Sequence, residues 1–256
     1  MSDTSRPSRT GAIARAEAYF DGGTFQSELA DWITYPTESQ KPDNGSELTR
    51  YLECATRPRL EAAGFTCEIF ENPVSGGGPI LVGERIEDPA LTTILTYGHG
   101  DVVRGQAEQW REGLAPFTLT EDGDRLYGRG TADNKGQHLI NIAALEVVLF
   151  ERGHLGFNVR IVIEMSEETG SAGLAEFFRS HRDLLQADVL IASDGPRLQP
   201  ETPTMFMGSR GGVNFDLVLD LREGAHHSGN WGGLLADPAM ILSHALASIC
   251  DRRGQI

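Results

Sequence analysis

The segment TTILTYGHGD, residues 92–101, combines the pattern of a buried strand with a polar turn. Its first six residues form an apolar run typical of a strand inside a parallel sheet. His99 and Asp101 follow directly, within a long stretch from Gly98 to Lys135 that is rich in Gly, Asp, Glu and Arg. Irregular stretches of this length inside a compact domain are usually functional. The segment therefore predicts a strand that presents functional groups at its carboxyl end.

The segments on either side alternate between helix and strand patterns. Apolar residues at helical spacing predict helices over 12–20, 24–33, 46–63, 136–152 and 173–180, and short apolar runs predict strands over 66–70, 80–82, 157–165 and 188–192. Such alternation predicts an α/β fold with a mostly parallel sheet and helices on both faces.

The last third of the chain has a different pattern. Three prolines between Pro196 and Thr204 suggest a linker, after which residues 212–221 alternate like a half-buried strand and residues 237–249 read as a helix. We place a domain boundary near Met207, with a first domain over residues 1–207 and the beginning of a smaller α+β domain over residues 208–256. The second part is too short to bury a core of its own.

Composition narrows the classes of partner and compartment. The 256-residue chain has a formal net charge of -15, which disfavours nucleic acid as a partner. Its three cysteines are odd in number and form no C-x-x-C pair, which favours a reducing cytoplasm over a disulfide framework. No apolar signal core or membrane-spanning run is visible, so the sequence predicts a cytoplasmic protein without a membrane partner.

Acidic residues follow the predicted strands at the ends where ligands bind in parallel α/β sheets. One imidazole and five carboxylates suit zinc, which takes histidine nitrogen and carboxylate oxygen. Of two adjacent glutamates, one can bind metal while the other acts as a general base. The residues concerned are His99 and Asp101, Asp133, Glu167-Glu168 and Asp194.

Each of these features has an ordinary structural explanation when taken alone. His99-Gly-Asp101 could be a surface pair, and Glu167-Glu168 a solvated turn. Asp133-Asn134 could be the N-cap region of the helix that follows, and Asp194-Gly-Pro196 a simple turn. A shared location at one end of the inferred sheet favours a site instead.

Five motifs in order resemble a known family. They are Tyr97-Gly-His-Gly-Asp101, Leu126-Tyr-Gly-Arg-Gly-Thr-Ala-Asp-Asn-Lys-Gly136, Glu167-Glu-Thr-Gly-Ser171, Ser193-Asp-Gly195 and His227-Ser-Gly-Asn-Trp-Gly-Gly233. This order resembles the dinuclear-zinc metallopeptidase family of aminoacylase, acetylornithine deacetylase, succinyl-diaminopimelate desuccinylase, carboxypeptidase G and carnosine dipeptidase.

The resemblance implies a set of metal ligands. His99 and Asp194 would bind one zinc ion, Glu168 would bind a second, and Asp133 would bridge the two. Cobalt or manganese would be possible substitutes for zinc. The peptide bond that follows the bridging aspartate is often cis in this family.

The resemblance also implies three catalytic roles and a homodimer. Glu167 would be the general base for a water held between the metals, and Asp101 would orient His99. His227 would come from a lid domain, reach the partner subunit's active site and stabilise the oxyanion there; read from the residues alone, the His226-His227 pair is more typical of a surface loop.

The match lacks one element of the family. The family's last zinc ligand is a histidine beyond the lid, whereas this sequence ends at Ile256, and none of His226, His227 and His244 matches it. We expect a truncated version of a longer enzyme, with a natural short form as the alternative. On either reading, the chain alone is expected to be inactive or poorly soluble.

Three functions remain open at this point. The first is zinc-dependent hydrolysis of a peptide or amide bond in a small substrate, with the dipeptidase branch favoured by the Gly128–Gly136 block. The second is deacetylation of an N-acyl amino acid. The third is a non-catalytic relative that acts in binding or dimerisation.

Overall fold

A computed structural model of the chain describes residues 8–195, 197–199, 201–208 and 211–256. Pro196 and Pro200 of the predicted linker lie outside these residues. The chain divides into two compact units, residues 1–196 and 197–256. The boundary predicted near Met207 stays a prediction.

The first unit contains a five-stranded sheet and seven helices in its described part. The helices are α1 (Arg9–Asp21), α2 (Thr24–Ile33), α3 (Gly45–Tyr51), α4 (Arg57–Ala62), α5 (Lys135–Arg152), α6 (Leu174–Ser180) and α7 (Arg182–Leu185). The sheet strands are β1 (Thr66–Phe70), β2 (Ile80–Arg85), β3 (Thr93–His99), β6 (Asn158–Glu164) and β7 (Val189–Ala192), and the separate strands β4 (Thr120–Asp122) and β5 (Arg125–Tyr127) pair with each other.

The predicted helix over residues 46–63 is confirmed, with one irregularity. A π-helical turn, Leu52–Thr56, joins α3 to α4. Gly64 follows with φ of 80°, a left-handed conformation that glycine adopts without steric cost and that ends the helix.

The sheet is mostly parallel, as predicted, with β2 as the one strand of the five that runs in the opposite direction. Its order is β1-β2-β6-β3-β7; β3 runs parallel to both β6 and β7, whereas β2 runs antiparallel to both β1 and β6. The short connection over residues 71–79 turns the chain straight back from β1 into β2, because an antiparallel return needs no crossover helix. The half of the sheet that carries the acidic strand ends is the parallel half.

Helices cover both faces of the sheet, as predicted. Alternate residues of the strands pack on opposite sides, because side chains in a strand alternate between faces. Leu81, Ile161 and Ile163 join the core beneath α2, α3 and α5, while Val82 and Val162 pack against α6 and α7. The predicted α/β class is therefore confirmed.

The second unit contains two helices in its described residues, α8 (Ser228–Trp231) and α9 (Pro238–Ile249). Asp237 caps α9 by accepting a hydrogen bond from the backbone N–H of Ala239 at 2.8 Å. The strand predicted over residues 212–221 is wrong, since the structure assigns no strand to 211–221. A strand needs a neighbour for its hydrogen bonds, and none of the described residues of this unit forms one. None of the described helices combines the length and the apolar character needed to cross a bilayer.

Candidate metal centre

His99 is the last residue of β3, and its side chain is fully buried. Its Nε2 faces three carboxylate oxygens: Asp133 Oδ1 at 2.9 Å, Glu167 Oε2 at 3.8 Å and Asp194 Oδ2 at 3.8 Å. These residues come from four separate parts of the sequence. The structure therefore brings one imidazole nitrogen and three carboxylates to a single point at the edge of the sheet.

The three side chains that approach most closely are arranged so that they could hold a metal ion. In the described part of the chain, His99, Asp133 and Asp194 each offer one ligand atom within 4.8 Å of the others. Glu168 stands outside this group, with its Oε1 accepting a hydrogen bond from the Val103 backbone N–H at 3.3 Å. Burial and the nearby charge of Asp133 raise the pKa of Glu168, so the two carboxylates are close enough to repel each other.

Parallel pairing explains why distant residues converge. His99 pairs with Glu164 at the ends of β3 and β6, and β7 runs beside β3 in the same direction. The carboxyl ends of the three strands therefore share one edge, which is where ligands bind in open α/β sheets. Asp194 follows β7 by two residues, and Glu167 follows β6 by three.

The turn after β3 is held from behind by buried hydrogen bonds. The Thr37 hydroxyl donates to the Gly100 carbonyl at 2.6 Å, and the Val102 N–H donates to the Thr37 carbonyl at 2.9 Å. Thr37 is completely buried. These two hydrogen bonds fix the position of Asp101, which lies between Gly100 and Val102 in the sequence.

Asp133 is the most exposed member of the cluster, with 66% of its side chain accessible. It lies two residues before the start of α5, and the peptide bond between Asp133 and Asn134 is cis, as the family resemblance implied. The cluster is therefore covered by the protein on the side of His99 and open to solvent on the side of Asp133.

The concentration of carboxylates around His99 favours a bound cation. Burial alone would lower the pKa of His99, but the Asp101 and Asp194 carboxylates raise it to about 11. Burial also raises the pKa of Glu167, as do the charges of Asp194, Asp101 and Asp133, whereas His99 opposes the shift. A ring proton on His99 is then the one positive charge at the centre of this group. A divalent cation supplies more charge at the same place, and the nitrogen and oxygen donors fit Zn²⁺, Co²⁺ or Mn²⁺.

The predicted site residues of the first unit thus lie together. The metal-binding and catalytic roles assigned to them stay predictions. His227 lies in the second unit, where it is exposed and its Nδ1 accepts a hydrogen bond from the Gly229 N–H at 3.1 Å. Its predicted role in a partner's active site also stays a prediction.

The sequence analysis assigned no role in the site to four buried polar residues beside the cluster: Tyr51, Asn134, His138 and Glu164. Asn134 and His138 are four residues apart at the start of α5 and share one helix face, which is the only sequence signal that links them. Tyr51 and Glu164 lie in apolar segments, where the pattern predicts core packing.

Together, the sheet and the cluster define a class of protein: an α/β domain with a histidine–carboxylate cluster that could hold a metal ion at the carboxyl edge of its parallel strands. Comparison with known proteins identifies the family. Residues 95–228 match the model of peptidase family M20/M25/M40, and the chain belongs to this family.

Named relatives and a solved structure support this assignment. The chain is 30% identical to beta-Ala-His dipeptidase of Rattus norvegicus, over 98% of this chain and 53% of the relative. It is 31% identical to cysteinylglycine-S-conjugate dipeptidase of Corynebacterium striatum, over 89% of this chain and 49% of the relative. The crystal structure of human carnosine dipeptidase 1 superposes with a TM-score of 0.74 at 26% identity, covering 95% of this chain and 54% of that one. The chain spans about half the length of the curated relatives it matches.

Proposed function

We propose that the protein is a metal-dependent hydrolase of small peptides, with a dipeptide as the favoured substrate. The observation that carries this proposal is the meeting of His99 Nε2 with the carboxylates of Asp133, Glu167 and Asp194 within 3.8 Å. Family membership and the dipeptidase names of the relatives support the substrate class.

We further propose two zinc ions as the resident metals. His99 and Asp194 would hold one, Glu168 would hold the other, and Asp133 would bridge them. When bound, such ions polarise a carbonyl and lower the pKa of a water molecule towards neutrality.

The protein's own groups would then move the proton. Glu167 is positioned to accept a proton from the attacking water and to deliver it to the leaving amine, because its Oε2 lies at the cluster without being among the closest ligand atoms. Its raised pKa suits this work, since a general base is most effective when its pKa lies nearer the working pH. Asp101 would hold the His99 ring in place from the opposite side.

Two properties of the whole protein remain part of the proposal. A cytoplasmic location is supported by the free thiols of Cys54, Cys67 and Cys250, none of which forms a disulfide in the structure. A homodimer, with His227 contributed across the interface, rests on the family resemblance.

The test measures metal and turnover separately. Zinc content is measured in the purified protein, and hydrolysis of β-Ala-His, Cys-Gly and N-acetyl amino acids is measured in a separate assay. We expect Glu167→Gln to keep its zinc and to lose activity by about 10²–10⁴-fold. His99→Ala should lose zinc. A wild-type protein that binds no zinc would overturn the proposal, and cleavage of N-acetyl amino acids alone would move the function to the deacetylase branch.

A further inference from the structure

Three buried side chains form a continuous chain of hydrogen bonds behind the metal-facing residues. The Tyr51 hydroxyl lies 2.7 Å from His138 Nε2, and His138 Nδ1 lies 3.1 Å from Asn134 Oδ1. Each of the three residues is at most 2% exposed. None of them faces the metal position directly, so the proposed mechanism leaves them without a role.

The orientation of the Asn134 amide is fixed by its neighbours. Its Oδ1 lies 3.2 Å from the backbone N–H of His99, which can only donate. Its Nδ2 lies 2.7 Å from the Ser193 carbonyl, which can only accept, and 3.1 Å from Asp194 Oδ1. A flipped amide would therefore set donor against donor and acceptor against acceptor.

The same reasoning fixes the tautomer of His138. Because Asn134 Oδ1 is an acceptor, His138 Nδ1 carries the proton and donates it. The other ring nitrogen, Nε2, is then bare and accepts the hydrogen bond from the Tyr51 hydroxyl. Burial, together with the charges of His99 and Lys135, lowers the pKa of His138 to about 3, so the ring is neutral and holds only one proton. The Tyr51 hydroxyl, by donating to Nε2, stabilises this tautomer and holds the ring in place.

This chain of bonds ends on the candidate metal centre. Asn134 Nδ2 donates a hydrogen bond to Oδ1 of Asp194. The other carboxylate oxygen, Oδ2, is the one that faces His99 Nε2, at 3.8 Å. Asn134 also holds the backbone of His99 itself. One amide group therefore sets the geometry of two of the proposed ligands.

We propose that Tyr51 and His138 are positioning residues of the metal site, which hold Asn134 in the one orientation that presents Asp194 Oδ2 beside His99 Nε2. This inference rests on the proposed function, because it requires the cluster to bind a metal. Groups that orient metal ligands without touching the metal typically contribute about 10–100-fold to its affinity.

Cobalt binding to the metal-free protein tests the inference. The dissociation constant for Co²⁺ is measured by competition with a chelator, and the visible absorption spectrum reports the ligand geometry. Tyr51→Phe removes only the hydroxyl and leaves His138 Nε2 buried without its hydrogen-bond donor, so the imidazole ring is no longer held in place against Asn134 Oδ1. We expect Co²⁺ binding to weaken about tenfold with a changed spectrum.

A second variant and a matched control separate positioning from general damage. His138→Leu should weaken Co²⁺ binding similarly, and adding Tyr51→Phe to it should cause no further loss, because the connection is already broken. Tyr19→Phe also removes a partly buried hydroxyl, one that donates to Glu28 away from the cluster, and should leave Co²⁺ binding unchanged. Circular dichroism and thermal melting confirm that each variant is folded.

The outcomes distinguish the two proposals. If wild-type protein and His99→Ala both fail to bind Co²⁺, the proposed function is wrong. If wild type binds Co²⁺ and folded Tyr51→Phe and His138→Leu match its affinity and spectrum, only the positioning role is wrong. Nitrogen-15 NMR of the wild-type protein gives an independent measurement: we expect the proton of His138 on Nδ1 from about pH 5 to 8. A proton on Nε2 would overturn the inference even if neither variant folds.

Discussion

Asp101 lies directly behind His99, with Asp101 Oδ1 3.3 Å from Nδ1 of the imidazole ring. The opposite ring nitrogen, Nε2, faces the candidate metal position. The same carboxylate accepts hydrogen bonds from the backbone N–H groups of Glu167 at 3.2 Å and Glu168 at 3.1 Å. One fully buried carboxylate therefore ties the proposed histidine ligand to the turn that carries the proposed base.

Replacing this carboxylate by an amide tests its double role. Asp101→Asn puts an NH₂ group where an oxygen accepts one of the two backbone N–H groups, and it removes the negative charge beside His99. The backbone carbonyl of Asp101, 3.0 Å from His99 Nδ1, still holds the ring. We expect zinc affinity to fall about tenfold rather than to vanish, as measured by chelator competition.

Asp122→Asn is the matched control for this change, because Asp122 is 62% exposed and pairs with the exposed Arg111. Its zinc affinity should equal that of wild type. Equal affinities in both variants would show that Asp101 does not support the ligand.

The glycine between Tyr97 and His99 is required for close packing. A Cβ added at Gly98 would lie 2.9 Å from Asn134 Oδ1 and 2.9 Å from His138 Cβ, closer than carbon atoms ordinarily approach. We expect Gly98→Ala to displace Asn134, to weaken zinc binding about tenfold and to lower the free energy of unfolding by about 1–3 kcal/mol. Gly45→Ala, whose added Cβ meets no atom within 4 Å, should leave zinc binding unchanged and should not lower the free energy of unfolding.

The elements of the fold could be predicted because their periodicity is local. The helix over residues 24–33 and the strand over residues 66–70 were predicted to the residue. Strand direction is decided by pairing between distant segments, which periodicity does not contain. The antiparallel course of β2 was missed for this reason.

The residues of the candidate site divide in the same way, into those that the sequence could identify and those that it could not. His99, Asp133 and Asp194 could be found because parallel strands end at a common edge and because the motifs carry a family resemblance. Tyr51 and His138 could not, since 87 positions separate them and each reads as a core residue of its own helix. A hydrogen bond between two buried side chains does not change the spacing of apolar residues in either segment.

Lys135, adjacent to Asn134 in the same motif, should be important for stability. It is fully buried, and its Nζ donates to the backbone carbonyls of Trp32 at 3.1 Å and Tyr35 at 2.7 Å. Lys135→Ala leaves both carbonyls without this partner and opens a cavity. We expect the free energy of unfolding in urea to fall by about 2–4 kcal/mol. The exposed Lys41→Ala should change it by less than about 0.5 kcal/mol, and a similarly small change at Lys135 would contradict this account.

Glu164 should make the stability of the metal-free protein depend on pH. Its carboxyl is buried at the end of β6, where Oε1 accepts hydrogen bonds from Tyr97 at 2.6 Å and Ser171 at 2.8 Å while Oε2 has no partner among the described atoms. Burial raises its pKa, an effect that the two hydrogen bonds only partly offset. The folded state therefore holds this proton more tightly than the unfolded chain does.

The sign of the effect follows from this difference in proton binding. The contribution of Glu164 is fully present below its ordinary pKa of 4.5 and is lost as the pH rises through the raised value in the folded state. Glu164→Gln is permanently neutral and keeps an oxygen for Tyr97 and Ser171. With a chelator present, urea unfolding between about pH 4 and 8 should show stability falling less steeply in Glu164→Gln than in wild type. The exposed Glu112→Gln should follow the wild-type curve, and a Glu164→Gln curve parallel to wild type would mean that the buried carboxyl does not titrate in this range.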